Sequence, residues 1–278
     1  MDRLRVESGG RMDNWLYNLK ALYHRLAPTH YSWPATDVWL PGNRQLHLVG
    51  SIHMGTRNMM PLPPGLLSRL EKADALIVEA DITGSASPFS YSEPQPPLAE
   101  RLDAATLQRL SRLCDEFQLT LTQFDPLPAW QVALMLQAQQ AQRLGLRPDY
   151  GIDYQLLQAA HAQGRRVIEL EGAGEQLDLL KTLPENGRLL LADTLEHWHT
   201  NARLLQTMIG WWLEKPPLQR RAALPNTFSN ELNDVLMSQR NQRWDTQLRA
   251  LPPGRYVVAV GALHLYGENN LPALLRRK

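Results

Sequence analysis

The sequence predicts an α/β protein with a central mixed β-sheet flanked by helices. Two observations carry this prediction. Apolar β-branched runs that are typical of buried strands alternate with stretches of helical periodicity. One strand-to-helix unit also occurs twice, first as QLHLVGSIHMGT at residues 45–56 and then as RYVVAVGALHLYG at residues 255–267. Each copy continues through a loop and a Leu-Pro pair into a predicted helix, so we expect an internal G-x-x-H pseudo-repeat with a helical cap inserted between its halves.

The chain of 278 residues is long enough for one large core with an insertion. We expect an N-terminal amphipathic helix region at residues 1–30 and one domain at 31–278. Within that domain, a helical insertion covers about residues 100–250, and a short strand near 166–171 interrupts it.

Composition excludes several classes of function. The net charge of +1 and the pI near 7.9 give no general electrostatic case for nucleic acid binding. Cys114 is the only cysteine, which excludes an internal disulfide and a cysteine-rich metal site. The first residues contain no apolar signal region, and no run approaches the ~18 apolar residues of a membrane span, so we expect a cytoplasmic protein. For the amphipathic stretch 12–26, packing on the protein's own sheet is favoured over a membrane surface.

The remaining elements follow from periodicity and from Gly and Pro punctuation. The run ALIVEAD at residues 75–81 is a buried strand that ends on Glu79 and Asp81. Residues 82–98 are rich in Ser, Pro and Gly, and either a lid or a plain linker fits them. In the strand near 166–171, alternation places Glu169 and Glu171 on one face. Helices are predicted at residues 63–72, 104–117, 129–144, 151–164, 186–213 and 228–250.

Both G-x-x-H histidines, His53 and His264, follow a predicted buried strand. Reacting groups of open α/β sheets lie in the crevice beyond the carboxyl ends of the strands. A glycine at the strand exit lets the backbone turn sharply or approach another segment closely. A single G-x-x-H is more simply an ordinary loop histidine, but two copies in matching contexts favour a shared site.

Two histidines and a carboxylate from separate strands suggest a catalytic metal centre. We expect His53, His264 and Glu79 as ligands of a divalent ion, either zinc, manganese or cobalt, with Glu79 as ligand or general base. Glu171 is a candidate second carboxylate, and solvent exposure at an edge strand is its alternative. Arg240 and Asn241 are candidates for substrate positioning or oxyanion stabilisation, and a structural salt bridge is the alternative for Arg240.

A second group of polar residues lies on the long helix predicted at 186–213. Asp193 and His197 share a helix face, but His197 and His199 point apart. This stretch is therefore interpreted as a cap with ordinary polar contacts.

Several separated motifs together resemble the TraB/GumN family. They are GSIH, GALH, IVEAD, GIDYQLLQAA, ELEGAGEQL, the pair Arg240-Asn241 and the ending VVAVGALHLYGENNLPALL. The family is related to the Tiki proteins, which are membrane-tethered metalloproteases, and more distantly to erythromycin-esterase-like enzymes. The resemblance implies a hydrolase fold whose site uses His53, His264 and Glu79. At Gly172 this chain departs from the family's E-T-x-x-E-Q segment, where threonine is usual.

The function expected from these features is a metal-dependent hydrolase that acts on peptides. One alternative is an esterase-like hydrolase that needs no metal, in which a histidine oriented by Glu79 is the general base. Another is a regulatory protein that binds a peptide or small signal molecule without turnover.

Overall fold

A five-stranded mixed sheet lies at the centre of the protein, in the order β1-β2-β5-β3-β4. The computed structural model describes residues 29–84, 93–217 and 224–277, so the helix predicted at 12–26 and residues 85–92 of the predicted loop lie outside the described residues. β1 pairs antiparallel with β2, and the other three pairings are parallel. The predicted α/β fold with a mixed sheet flanked by helices is confirmed. The strands are β1 (Ala35–Leu40), β2 (Arg44–Ser51), β3 (Ala75–Val78), β4 (Arg166–Glu169) and β5 (Gly254–Gly261).

Helices cover both faces of the sheet and build a separate helical layer. The described helices are α1 (Pro64–Glu71), α2 (Leu98–Arg101), α3 (Ala104–Phe117), α4 (Ala129–Arg143), α5 (Ile152–Ala162), α6 (Ala173–Lys181), α7 (Pro184–Glu196), α8 (Trp198–Leu213), α9 (Asn230–Asn233), α10 (Gln239–Arg249) and α11 (Leu271–Leu275). Short 3-10 turns occur at Arg57–Met59, Leu121–Phe124, Pro148–Tyr150 and Ala262–His264. No helix within the described ranges is both long enough and apolar enough to cross a membrane.

Three apolar clusters hold these elements together. One sheet face packs on α1 and α5, and the other packs on α10 and α11. A third cluster lies within the helical layer, where α3, α4 and α7 bury side chains such as Leu110, Trp130 and Leu191 against one another. The burial of continuous apolar runs on both faces is what parallel strands require.

Two long helices are interrupted where the sequence predicted one continuous element. The helix predicted at 186–213 is α7 followed by α8, with a break at His197; within α7, Glu185 to Gly187 have left-handed φ angles of 50° to 80°. The helix predicted at 228–250 contains a π-helical turn, Asp234–Ser238, between α9 and α10. A π-turn inserts one extra residue and rotates the face of the helix that follows. The 3.6-residue periodicity that predicts the helix does not reveal this rotation.

Candidate functional site

Four predicted site residues follow four neighbouring parallel strands. His53 lies two residues beyond β2, His264 ends the 3-10 turn after β5, Glu79 comes directly after β3, and Glu171 lies two residues beyond β4. Because β2, β5, β3 and β4 are adjacent and parallel, their carboxyl ends meet at one edge of the sheet. The two histidines are contributed by adjacent strands, and so are the two glutamates.

Arg240 from α10 joins the two glutamates. Its guanidinium donates to Glu79 Oε2 at 2.6 Å and to both carboxylate oxygens of Glu171 at 2.8 Å. The other oxygen of Glu79 accepts the backbone N–H of Gly261 at 2.6 Å. Gln176 Nε2 lies 3.3 Å from Glu79 Oε2 and from Glu171 Oε2. The two carboxylates are therefore buried as one hydrogen-bonded network around a single guanidinium.

This network keeps Glu79 ionised. Burial alone would raise the pKa of the Glu79 carboxyl, but Arg240, the two histidines and the Gly261 N–H outweigh it and lower the pKa to about 2. Burial would lower the pKa of the Arg240 guanidinium, but its bonds with Glu171 and Glu79 outweigh this effect and raise the pKa above its ordinary value. The carboxylate of Glu79 is thus an anion throughout the neutral pH range.

His53 is oriented by Asp153, a residue that the sequence analysis did not single out. The distance from His53 Nδ1 to Asp153 Oδ2 is 2.5 Å, and the side chain of His53 is 67% exposed. The neighbouring Asp153 carboxylate raises the pKa of His53 to about 9, against the opposing effect of desolvation. The His53 ring therefore has one nitrogen held by a carboxylate and the other open to solvent.

A glycine allows this arrangement. α5 begins directly against the backbone that carries His53, since Ile152 N donates to Ile52 O at 2.8 Å. A Cβ atom at Gly151 would lie 2.3 Å from the carbonyl oxygen of His53. Only glycine lets α5 start this close, and the approach puts Asp153, in the first turn of α5, within reach of the imidazole.

His264 is oriented by Asn241. Asn241 Oδ1 lies 2.7 Å from His264 Nδ1, and Asn241 Nδ2 donates to the carbonyl oxygen of Asn269 at 3.3 Å. Asn241 is 3% exposed and His264 is 4% exposed. Burial lowers the pKa of His264 to about 4, so the ring is neutral at pH 7. The ring of Trp244 packs on His264 at 4.5 Å between centroids and also lies under Arg240, 4.7 Å from the guanidinium carbon.

The G-x-x-H glycines permit close approach of neighbouring segments. A Cβ at Gly50 would lie 3.1 Å from Ala262 Cα, so the turn that carries His264 rests on the end of β2. A Cβ at Gly261 would lie 3.4 Å from Glu79 Oε1 and 3.6 Å from His264 Cδ2. Glu79 and His264 therefore flank Gly261.

Other candidate polar residues lie outside this group. Glu169 Oε2 accepts the backbone N–H of Asp81 at 2.8 Å, so Glu169 and Glu171 have different partners. Asp193 Oδ2 accepts the backbone N–H of Ser229 at 2.6 Å, which is a contact within the helical layer. His197 lies at the break between α7 and α8.

The donor atoms suit a metal in part. Among the described residues, neither His53 Nε2 nor His264 Nε2 makes a hydrogen bond, and each ring is held through Nδ1 by an oxygen atom, as is usual for metal-binding histidines. No three His, Cys, Asp or Glu side chains of the described residues converge closely enough to hold a metal ion. Each histidine ring is therefore oriented by itself as a ligand would be, whereas Glu79 as oriented here serves Arg240 and Gly261.

Asp153, Gln176 and Trp244 were not predicted from the sequence. Asp153 and Gln176 lie within the motifs GIDYQLLQAA and ELEGAGEQL, where the one available signal was a charged or polar residue near a helix N-terminus. The partner of Asp153 is 100 residues away in the chain, and helical periodicity carries no information about it.

Comparisons with known proteins identify related sequences. A family model described as TraB/PrgY/gumN family matches residues 34–278. The chain is 58% identical over 261 residues to uncharacterized protein YbaP of Escherichia coli (strain K12). The aligned region covers 94% of this chain and 99% of the relative. The chain has the same identity and coverage with YbaP of Shigella flexneri. No solved structure matches. The chain belongs to the TraB/PrgY/gumN family.

Proposed function

We propose that this protein is a metal-dependent hydrolase that acts on peptides, with zinc, manganese or cobalt as the ion. The observation that carries the proposal is the pair of strand-end imidazoles. Each has its Nδ1 held by an oxygen atom, and neither Nε2 is hydrogen-bonded within the described residues. An oriented imidazole with a free Nε2 is the usual form of a histidine ligand.

In this proposal, His53 and His264 hold the ion, while Asp153 and Asn241 keep their rings in place. The chemistry supplied by a bound divalent ion is Lewis-acid activation of water and of the substrate carbonyl. The pKa of Glu79, about 2 when paired with Arg240, makes it a weak base at neutral pH, and a role as ligand would require one of its oxygens to leave Arg240 or Gly261.

Arg240 and Asn241 are assigned positioning roles. The Nε and Nη2 atoms of Arg240 are hydrogen-bonded to Glu171 and Glu79. The side-chain amide of Asn241 is hydrogen-bonded to His264 and to the carbonyl oxygen of Asn269. The predicted oxyanion contact from these side chains would require them to leave these partners. We therefore assign Arg240 to the glutamates and Asn241 to His264.

The choice of peptide as substrate rests on the family's relation to the Tiki metalloproteases. The test is to incubate a peptide library with protein loaded with zinc, manganese or cobalt, and with the same protein after exhaustive chelation. We expect cleavage that needs the ion and is lost in the His53→Ala, His264→Ala double variant, which also controls for contaminating proteases.

A second candidate is a metal-independent, esterase-like hydrolase, which the exposed His53 and Asp153 pair favours. Because Asp153 raises the pKa of His53 to about 9, the imidazole of the metal-free protein suits a general acid better than a general base, and an ion that binds His53 would have to displace its proton. Turnover that survives chelation would support this candidate over the metal-dependent one. Peptides and esters recovered unchanged under every condition would favour binding without turnover.

A further inference from the structure

Two arginines of α10 reach the strand ends, and they differ in how fully they are bonded. Arg240 and Arg243 are three residues apart and lie on the same face of the helix. Arg240 is 13% exposed, and its Nε and Nη2 atoms bond to Glu171 and Glu79. Arg243 is 49% exposed, and its Nη2 lies 3.7 Å from Glu171 Oε1, which is too far for a hydrogen bond.

The carboxylate nearest to Arg243 already has other partners. Glu171 Oε1 accepts from Arg240 Nε at 2.8 Å, and Glu171 Oε2 accepts from Arg240 Nη2 at 2.8 Å. Gln176 Nε2 lies 3.3 Å from the same Oε2. Glu171 is therefore satisfied without Arg243, and the Arg243 guanidinium makes no hydrogen bond to any of the described residues.

The charges at this end of the sheet balance one another. The carboxylates of Glu79 and Glu171 are matched by the guanidiniums of Arg240 and Arg243. A further carboxylate that approaches Arg243 from solvent therefore meets an open guanidinium without an excess of negative charge. A guanidinium is a planar fork of donors that binds a carboxylate through two parallel hydrogen bonds.

The position of Arg243 relative to His53 sets the length of a ligand that reaches both. Arg243 lies beside Glu171, after β4, and the exposed His53 lies after β2. The strand order places β5 and β3 between β2 and β4. With neighbouring strands about 4.8 Å apart, the two strand exits are separated by about 14 Å. An extended peptide covers this distance with about four residues, at about 3.3 Å per residue.

We propose that Arg243 binds a carboxylate of the peptide substrate, about four residues away from the bond that is cleaved beside His53. The C-terminal carboxylate of a short peptide and the side chain of an aspartate or glutamate share this chemistry. This inference rests on the proposed function, because it names the part of the peptide that the site selects.

Three synthetic libraries of N-acetylated hexapeptides test the proposal. All three are randomised over neutral residues. The first ends in a free carboxylate, the second ends in an amide, and the third ends in an amide and has glutamate as its last residue. Bound peptide is separated from free peptide by ultrafiltration and counted by mass spectrometry. Binding is measured with the wild type and with the His53→Ala, His264→Ala double variant, which keeps Arg243 and allows binding to be followed without turnover.

We expect a library with a carboxylate to bind about tenfold more tightly than the amide library, the size of one charge-assisted contact. Arg243→Gln should reduce this ratio to about one, and Arg243→Lys should keep part of it because the charge remains. Arg188→Gln is the matched control, since Arg188 in α7 is 42% exposed and also lies beside a glutamate, Glu185. Its ratio should equal that of the wild type. Urea unfolding of each variant checks that the fold is retained.

The outcomes separate this inference from the proposed function. Preference for the first library alone assigns Arg243 to the C-terminal carboxylate, preference for the third alone assigns it to an acidic side chain, and preference for both shows that either carboxylate is accepted. Equal binding of the three libraries, or a preference that persists in Arg243→Gln, would overturn the role of Arg243, and cleavage of the same peptides would leave the hydrolase standing. Preferential binding without cleavage under any condition would keep the role of Arg243 and overturn the proposed function. No binding of any library would overturn both.

Discussion

β2 and the residues that follow it carry two histidines, each paired with an aspartate at nearly the same distance. The two pairs differ in solvent exposure and in the partner of the second ring nitrogen. His47 Nδ1 lies 2.6 Å from Asp37 Oδ1, and His53 Nδ1 lies 2.5 Å from Asp153 Oδ2. His47 is 5% exposed, and its Nε2 accepts from Trp33 Nε1 at 3.1 Å. His53 is 67% exposed, and its Nε2 has no hydrogen bond within the described part of the chain. The first pair uses all its polar atoms internally, whereas the second leaves one for a ligand.

The comparison shows that a histidine–carboxylate contact does not define a site by itself. Asp37 is also bonded to Tyr31 and lies 3.6 Å from Arg69, so its charge is satisfied without any ligand. What distinguishes the pair at the strand end is its second ring nitrogen and its position beside another oriented histidine. Four predictions break or sharpen this contrast, and they are arranged from the largest expected effect to the smallest.

Replacing His53 or His264 should affect metal binding, whereas replacing His47 should affect folding stability. We expect His53→Ala or His264→Ala to weaken Mn²⁺ or Zn²⁺ binding by more than about 100-fold, since ligand loss exceeds the effect of losing a ligand's partner. His47→Ala should leave binding unchanged and lower the free energy of unfolding by about 3 kcal/mol, because Asp37 and Trp33 stay buried without their partner. Calorimetric titration and urea unfolding of the same preparations measure both. Equal metal affinity in His53→Ala and wild type would remove the distinction.

Removing the charge of each aspartate should repeat the contrast at smaller size. Asp153→Asn is expected to weaken metal binding by about 10- to 100-fold, because His53 loses the partner that orients it. Asp37→Asn should cost about 1–3 kcal/mol of folding stability with no change in metal binding. The same two measurements apply, and a loss of metal affinity in Asp37→Asn would argue that the two pairs are coupled.

The close approach of α5 to His53 gives a prediction for a glycine. Gly151→Ala places a Cβ against the carbonyl oxygen of His53, so the start of α5 must shift and carry Asp153 away from the imidazole. We expect about tenfold weaker metal binding, within the range for a lost partner. Gly174→Ala is the control, since a Cβ there meets no atom within 4 Å and alanine favours the helix. Metal titration measures the affinity of both variants. Wild-type affinity in Gly151→Ala would count against the positioning role of Gly151.

In protein freed of metal by chelation, His47 and His53 should make folding stability depend on pH in opposite directions. Burial lowers the pKa of His47 below 6.5, so the unfolded chain binds an extra proton below pH 6.5 and stability falls as the pH decreases. Asp153 raises the pKa of His53 to about 9, so its stabilisation is complete below pH 6.5 and is lost as the pH rises towards 9. His47→Gln should therefore remove an acidic decline and His53→Gln an alkaline one. Urea unfolding between pH 5 and 9 checks this, and slopes of the same sign would contradict it.

The sequence was most informative about what strands deliver. The strand-end positions of His53, His264 and Glu79 could be predicted because an apolar run with a polar exit marks the carboxyl end of a buried parallel strand. Glu171 followed instead from the alternation of the edge strand near 166–171. A buried guanidinium at position 240 likewise required an anionic partner, and the structure provides two carboxylates.

The sequence was least informative about what helices bring to those strands. Asp153, Gln176 and Trp244 reach the site from helices whose place above the sheet depends on tertiary packing. The π-turn at Asp234–Ser238 shifts the face of α10 in a way that no apolar period records. At the start of α7, the left-handed residue Gly187 lies against Trp130, whose Cβ is 2.6 Å from where a Cβ of Gly187 would be.

The most direct test of the histidine pair is elemental analysis of untagged protein purified without chelator and reconstituted with zinc, manganese or cobalt. The wild type, the His53→Ala, His264→Ala double variant and His47→Ala are compared at equal concentration. We expect near-stoichiometric metal in the wild type and in His47→Ala, and none in the double variant. No metal in any of the three, or full metal content in the double variant, would contradict the assignment of His53 and His264 as ligands.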